Sequence, residues 1–297
     1  MKKLMFALVA AGAAAVMGDA IESQNVVGYN TVQMSTKAAK ATYNMMAVPF
    51  TGTTTGFRLN YDLSVANATG ATISDQADLI QIWDPTAGGG VGGYEQWYYY
   101  YDSSSTPVAD GGWNGWWDYL TGEHYFEEAG YHPTGLEAGA TFWYLAYNSS
   151  ATPAMTVSGQ VLDTASKGVE FYKGKFNMVT SPYPVRLKLN DATQVQWTKC
   201  TGATISDNAD LIQIWDPTAG GGVGGYEQWY YYYDSSSTSI ADGGWNGWWD
   251  YLTGEHAFEE AGYHPTGLDV GKPFWYKAAG AYSPSDKGLI TFFSPVE

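Results

Sequence analysis

Ala77-Asp-Leu-Ile-Gln-Ile-Trp-Asp-Pro85, Gly88-Gly-Gly-Val-Gly-Gly93 and Tyr94-Glu-Gln-Trp-Tyr-Tyr-Tyr-Tyr101 together decide the fold. Two runs rich in β-branched and aromatic residues, one stopped by Asp84-Pro85 and the other by Asp102-Ser-Ser-Ser-Thr106, read as strands. The glycines between them predict a turn, and therefore a hairpin with an unusually long loop. That glycine run is no phosphate loop, because it lacks the Lys-Ser/Thr ending that grips phosphate and metal. Working outward, Trp113 to Tyr119, Ala140 to Tyr147 and Met155 to Val161 read as further strands, and no segment sustains a 3.6-residue apolar period. Short connections between many strands predict an all-β protein built as two tandem β-sandwich or jelly-roll-like modules. A transmembrane β-barrel fits less well, since its strands should run to about ten residues and its turns should be short.

Two modules are expected because residues 69–139 recur at 201–271, with 65 of 71 positions identical. Outside this block the copies align more weakly. Asn44-Met-Met-Ala-Val-Pro-Phe50 matches Asn177-Met-Val-Thr-Ser-Pro-Tyr183, and Phe142-Trp-Tyr144 matches Phe274-Trp-Tyr276. A shared opening strand is expected at Val26 to Val32 and at Val157 to Val161. The resulting division is a leader at 1–20, a first repeat at 21–163 and a second at 164–297.

The opening MKKLMFALVAAGAAAVMGDA has a basic start, an apolar stretch and small residues at Gly18 and Ala20, the pattern of a secretory signal. Its apolar stretch is shorter than the roughly 20 residues of a spanning helix, and no later segment qualifies. A secreted or cell-surface protein is therefore expected. Cys200 is the only cysteine, so no intrachain disulfide can form and a buried thiol is expected. The formal net charge is −16, and each copy of the block carries eleven acids without one Lys or Arg. Nucleic acid is excluded as a partner on that balance. The acids should face water, cations or a basic partner, because a buried unpaired charge is costly.

Twelve of the thirteen tryptophans fall six to a repeat, and only Trp197 stands between the matched sets. In Gly111-Gly-Trp-Asn-Gly-Trp-Trp-Asp-Tyr119, large rings alternate with polar groups. Flat rings stack on the C–H face of a sugar while carboxylates and amides bond its hydroxyls. Trp113, Asn114, Trp116, Trp117 and Asp118 are therefore candidate ligand-binding residues, with Trp245, Asn246, Trp248, Trp249 and Asp250 in the second copy. The competing reading is that these rings fill a core. Calcium is a candidate cofactor, since hard cations gather several oxygens, and Asp75, Asp78 and Asp110 with Asp207, Asp210 and Asp242 are the acids to consider.

His124, Glu128 and His132 recur as His256, Glu260 and His264, but on a helix the outer pair would stand about 12 Å apart, too far for one metal ion. The adjacent Glu127 and Glu128 do not make a glycosidase pair, which needs carboxyls across a substrate. With no nucleophile elbow and no His-Glu-x-x-His, catalysis is not expected.

Val26-Val-Gly-Tyr29, Asn44 to Phe50, Ala77 to Asp84, Gly139-Ala-Thr-Phe-Trp-Tyr144 and Thr156-Val-Ser-Gly-Gln160 together resemble a group of exported two-repeat proteins of Gram-negative bacteria. The resemblance implies tandem β modules and export, and implies no activity. Taken together, the sequence predicts a non-catalytic structural or adhesive protein with two equivalent contact surfaces, able to self-associate. The alternative is a pair of carbohydrate-binding modules, calcium-dependent or not, that take an extracellular glycan or another cell-surface component.

Overall fold

The computed structural model describes residues 27–33, 42–51, 58–120, 136–147, 153–222, 224–252, 254 and 267–295. The leader at 1–20, the paired acids Glu127 and Glu128 and both histidine motifs lie outside these residues.

The described residues form sixteen strands in two sets of eight. In the first set, β1 (Val27–Gln33), β3 (Leu63–Ala66) and β8 (Ala154–Gln160) make a three-stranded sheet in the order β1-β8-β3. The strands β2 (Thr42–Ala47), β4 (Leu79–Asp84), β5 (Gly93–Tyr100), β6 (Gly115–Asp118) and β7 (Thr141–Ala146) make a five-stranded sheet in the order β2-β7-β4-β5-β6.

The second set repeats this plan. There β9 (Ser166–Tyr172), β11 (Val195–Thr198) and β16 (Lys287–Phe293) form the small sheet. The large one holds β10 (Phe176–Val179), β12 (Leu211–Asp216), β13 (Gly225–Tyr232), β14 (Gly247–Asp250) and β15 (Phe274–Lys277). All strand pairs are antiparallel. Each small sheet lies over the inner face of its large one, which makes two β-sandwich modules.

The expected hairpin is β4–β5, with Trp83 opposite Tyr94 and Leu79 opposite Tyr98. Its loop turns back through Gly88, Gly89, Gly90 and Gly92, all with positive φ. Glycine is required at position 92 on a second ground, since a Cβ there would lie 2.3 Å from the Trp83 ring.

The expectation of a shared opening strand at Val157 to Val161 is corrected. Those residues belong to β8, which closes the first module by pairing with both β1 and β3, and the second module opens with Ser166-Lys-Gly-Val-Glu-Phe-Tyr172. Position in the sheet, not a local Val-x-Gly likeness, sets the equivalence: β9 pairs with β16 as β1 pairs with β8.

Period-two alternation sorts the aromatic residues between faces. In the first module Ile80, Trp97, Trp116, Phe142 and Tyr144 point inward and meet Met155 and Val157 of the small sheet. The second core repeats this with Ile212, Trp229, Trp248, Phe274 and Tyr276 against Ile290 and Phe292. Trp197 sits on β11 where Val65 sits on β3, and its ring stacks on Tyr276 at 5.9 Å and 14°. The unmatched tryptophan is thus partly buried and packs against the core of the second module.

The outer faces of the large sheets are aromatic too, and they close on each other. Met45, Trp83 and Trp143 of the first module pack against Met178, Trp215 and Trp275 of the second. The contacts are reciprocal. Trp83 meets Trp275 edge-on at 5.5 Å, and Trp143 meets Trp215 edge-on at 5.5 Å. The Trp83 indole N–H donates to the Phe176 carbonyl at 2.8 Å, and the Trp215 N–H to the Tyr43 carbonyl at 3.0 Å. Equivalent residues exchanging equivalent contacts define a pseudo-two-fold seam within one chain, the intramolecular counterpart of an isologous dimer.

Candidate functional site

The Trp-rich loop divides into scaffold and surface. Only Gly115–Asp118 of this stretch is strand, shorter than the run expected from Trp113 to Tyr119. Asn114 breaks the strand because its side chain is used inward: Oδ1 accepts from the Asp102 amide, while Nδ2 donates to the carbonyls of Asp102 and Ser105. Asn246 makes the same three bonds. Both amides pin the loop.

Trp116 and Trp248 are corrected from ligand-binding candidates to core residues, being 1% and 0% exposed. Trp117 and Trp249 lie on the outer face, 7% and 8% exposed, stacked on Tyr100 at 4.1 Å and on Tyr232 at 4.4 Å. Asp118 and Asp250 are buried, and each accepts from an amide two residues on. What remains accessible is Trp113, 52% exposed, and Trp245, 49%. Each leans on the tryptophan four residues later, at 6.1 and 5.9 Å, whose indole N–H donates back to its carbonyl. Tyr101 and Tyr233 stand exposed on the strand side of the same loops.

The acids separate in the same way. Asp75, Asp110, Asp207 and Asp242 face solvent, with Asp75 accepting from the Tyr119 hydroxyl at 3.0 Å and Asp242 from the Ser239 hydroxyl at 2.7 Å. The expectation that the acids face water, cations or a basic partner fails at Asp118 and Asp250, and most completely at Asp78 and Asp210, which are 0% and 1% exposed. Asp78 accepts from the amides of Thr69 and Tyr147 and from the Tyr144 hydroxyl. Asp210 does the same with Thr201, Ala279 and Tyr276. Their oxygens tie loop to strand and are corrected from calcium ligands to structural acceptors, because two backbone N–H groups and a tyrosine hydroxyl already donate to each carboxylate. Among the described residues no three His, Cys, Asp or Glu side chains converge in a metal-holding group.

Cys200 is half-buried with its Sγ 2.9 Å from the Tyr276 hydroxyl, and burial pushes the thiol up to about 12. Since the thiolate is the nucleophile, native Cys200 should react with iodoacetamide about a thousandfold more slowly than the unfolded chain at mildly alkaline pH. Mass-spectrometric labelling rates measure this, and equal rates in the two states would refute it.

One arrangement went unseen in the sequence. At the seam Tyr43, Gln81, Tyr94, Trp143, Trp215 and Tyr226 line a groove of about 250 Å³. Tyr43, Tyr94 and Tyr226 are 44%, 41% and 40% exposed. The signal that could have found it is the outward position of Gln81, Trp83 and Tyr94 on paired strands, a sheet face too aromatic to stay bare.

No protein-family model, curated protein or solved structure matches the chain. Among the described residues no helix is long and apolar enough to cross a membrane.

Proposed function

We propose that the protein is a non-catalytic, adhesive contact protein, exported to the cell surface or beyond, that holds carbohydrate at two equivalent stations centred on Trp113 and Trp245. The observation that carries this reading is the sorting of the Trp-rich loop. In each copy one indole is left half-exposed on a frame of strand, stacked rings and an asparagine whose amide bonds the loop backbone. A ring held rigid before binding loses little entropy on contact, which is what makes aromatic side chains strong anchors. Serines 104 and 105 and Asp102 at the same loop supply hydroxyl and carboxylate partners of the kind sugars require. Two stations in one chain raise avidity on a polymeric ligand by a hundredfold or more when both engage.

Affinity electrophoresis of the full chain through soluble neutral and acidic polysaccharides, with EDTA and then with calcium, tests the reading. Trp113→Ala and Trp245→Ala should each cut retention at least tenfold, and the double variant should migrate as if no polysaccharide were present. Both variants keep the fold because the rings they remove are outside the core. Retention of the double variant equal to the parent's, or no retention of the parent by any polysaccharide, would sink the proposal.

A further inference from the structure

The seam groove differs from the two Trp stations in that both modules build it. Tyr94 and Tyr226 are equivalent positions, so the groove lies across the pseudo-two-fold axis, and neither module alone supplies its walls. Its frame is rigid. Tyr94 tilts against Trp83 at 4.9 Å, Tyr226 against Trp215 at 5.0 Å, and Tyr43 meets Trp143 edge-on at 5.9 Å. Each exposed phenol carries a hydroxyl that can both donate and accept at the groove rim. Tyr43, Tyr94 and Tyr226 line the same groove and are each about two-fifths exposed.

Charge narrows the occupant. In a chain of net charge −16, no Asp, Glu, Lys or Arg lines this groove. Five ring surfaces ask for a flat apolar face, and three hydroxyls and the Gln81 amide ask for donors and acceptors on the rim. A purely apolar segment would leave those polar groups unmet, and an ion would find no counter-charge. The volume falls below the roughly 300–1,000 Å³ of sites for drug-sized ligands, the size for one sugar ring.

Symmetry does not give a second copy. Opposite Tyr43 and Leu145 stand Phe176 and Lys277, with the Lys277 ammonium 5.8 Å over the Phe176 ring. The near-identical block builds both halves alike, and the diverged strands flanking it remove a hydroxyl and add a charge on one side only.

We infer that the groove formed by Tyr43, Gln81, Tyr94, Trp143, Trp215 and Tyr226 is a third, composite site that takes a single uncharged pyranose ring. This rests on carbohydrate being the ligand class proposed above. Titration calorimetry of the full chain with the methyl glycosides of glucose, galactose, mannose and N-acetylglucosamine, and with glucuronic acid, tests it. At least one neutral glycoside should bind saturably with one site per chain, glucuronic acid at least tenfold more weakly. Gln81→Ala and Tyr43→Phe, which leave the seam's tryptophans in place, should each weaken binding about tenfold, whereas the Trp113→Ala/Trp245→Ala double variant should leave it unchanged.

Absence of saturable binding by every neutral glycoside would overturn the groove, as would glucuronic acid binding equally well. Binding lost in the Trp113/Trp245 double variant but kept in Gln81→Ala would overturn the groove while sparing the two stations. The converse pattern supports the groove and leaves the two stations to be decided by the polysaccharide retention of the Trp113→Ala/Trp245→Ala double variant.

Discussion

Trp248→Ala should lower the unfolding free energy of the second module by about 3–5 kcal/mol, the usual cost of emptying a large aromatic site in a packed core. The ring is fully buried, edge-on to Trp197 at 4.9 Å and in contact with Tyr231 at 5.3 Å and Tyr276 at 6.2 Å. Trp116→Ala should cost the first module somewhat less. Its ring touches Tyr99 and Tyr144 at 5.3 and 6.0 Å, but Val65 occupies the place of Trp197, so fewer ring contacts are lost. Trp245→Ala, three residues from Trp248 in sequence, should stay within about 1 kcal/mol, because an exposed ring leaves no cavity. Urea unfolding followed by circular dichroism measures all three. Similar midpoints for Trp248→Ala and Trp245→Ala would mean that the loop has not been sorted into core and surface as described. Domain stabilities are about 5–15 kcal/mol, so the core variants should fail to fold well at 37 °C.

Asp210→Ala should be nearly as damaging, at about 3–5 kcal/mol, because three donors lose their acceptor at once: the Thr201 and Ala279 amides and the Tyr276 hydroxyl. Asp78→Ala should match it through Thr69, Tyr147 and Tyr144. The two carboxyls also set a pH dependence. Burial, outweighing their hydrogen bonds, raises both above the ordinary 3.8. A raised folded value means that these groups contribute most below the unfolded value, and that the contribution is lost as pH rises through the folded one.

Asp102, Asp216 and Asp234 act oppositely. Hydrogen bonds from Ser104, Thr218 and Ser236 hold them below the ordinary value, so their contribution is present above it and fades as pH falls through their folded values. These three are exposed or nearly so, and solvent screening keeps their effect small. Acidification from neutrality to about pH 4.5 should therefore raise the melting temperature, helped by relief of repulsion at net charge −16. Asp210→Asn should flatten that rise. A melting temperature that falls steadily from pH 7 to 4.5 in the parent protein would contradict the assignment.

The hairpin was legible because strand propensity, turn glycines and the Asp-Pro stop all agree over Ala77 to Tyr101, and local chemistry alone sets it. Trp116 and Trp117 were not separable, since alternation says that adjacent residues face opposite ways without saying which way is in when both are tryptophan. Asp78 was misread because its donors come from Thr69 and Tyr147, backbone groups that any residue could supply and no composition reveals. The opening strand of the second module escaped notice because Ser166-Lys-Gly-Val-Glu-Phe-Tyr172 is polar on its open face and shares little with β1. The seam was hidden for a related reason. An outward Trp83 looks the same in sequence whether it meets solvent, a ligand or its own repeat.

The acceptors at the seam carry a consequence for how the gene can change. Trp83 and Trp215 lie inside the near-identical block, yet the atoms they bond, the carbonyls of Phe176 and Tyr43, lie outside it and belong to the main chain. A carbonyl is present whatever side chain its residue bears. One block could overwrite the other, and the side chains at 43 and 176 could change, without the two halves losing these two hydrogen bonds. The duplicated segments are thus interchangeable parts on a fixed mount, and divergence is free to accumulate in the mount, where it makes the two sides of the groove unlike.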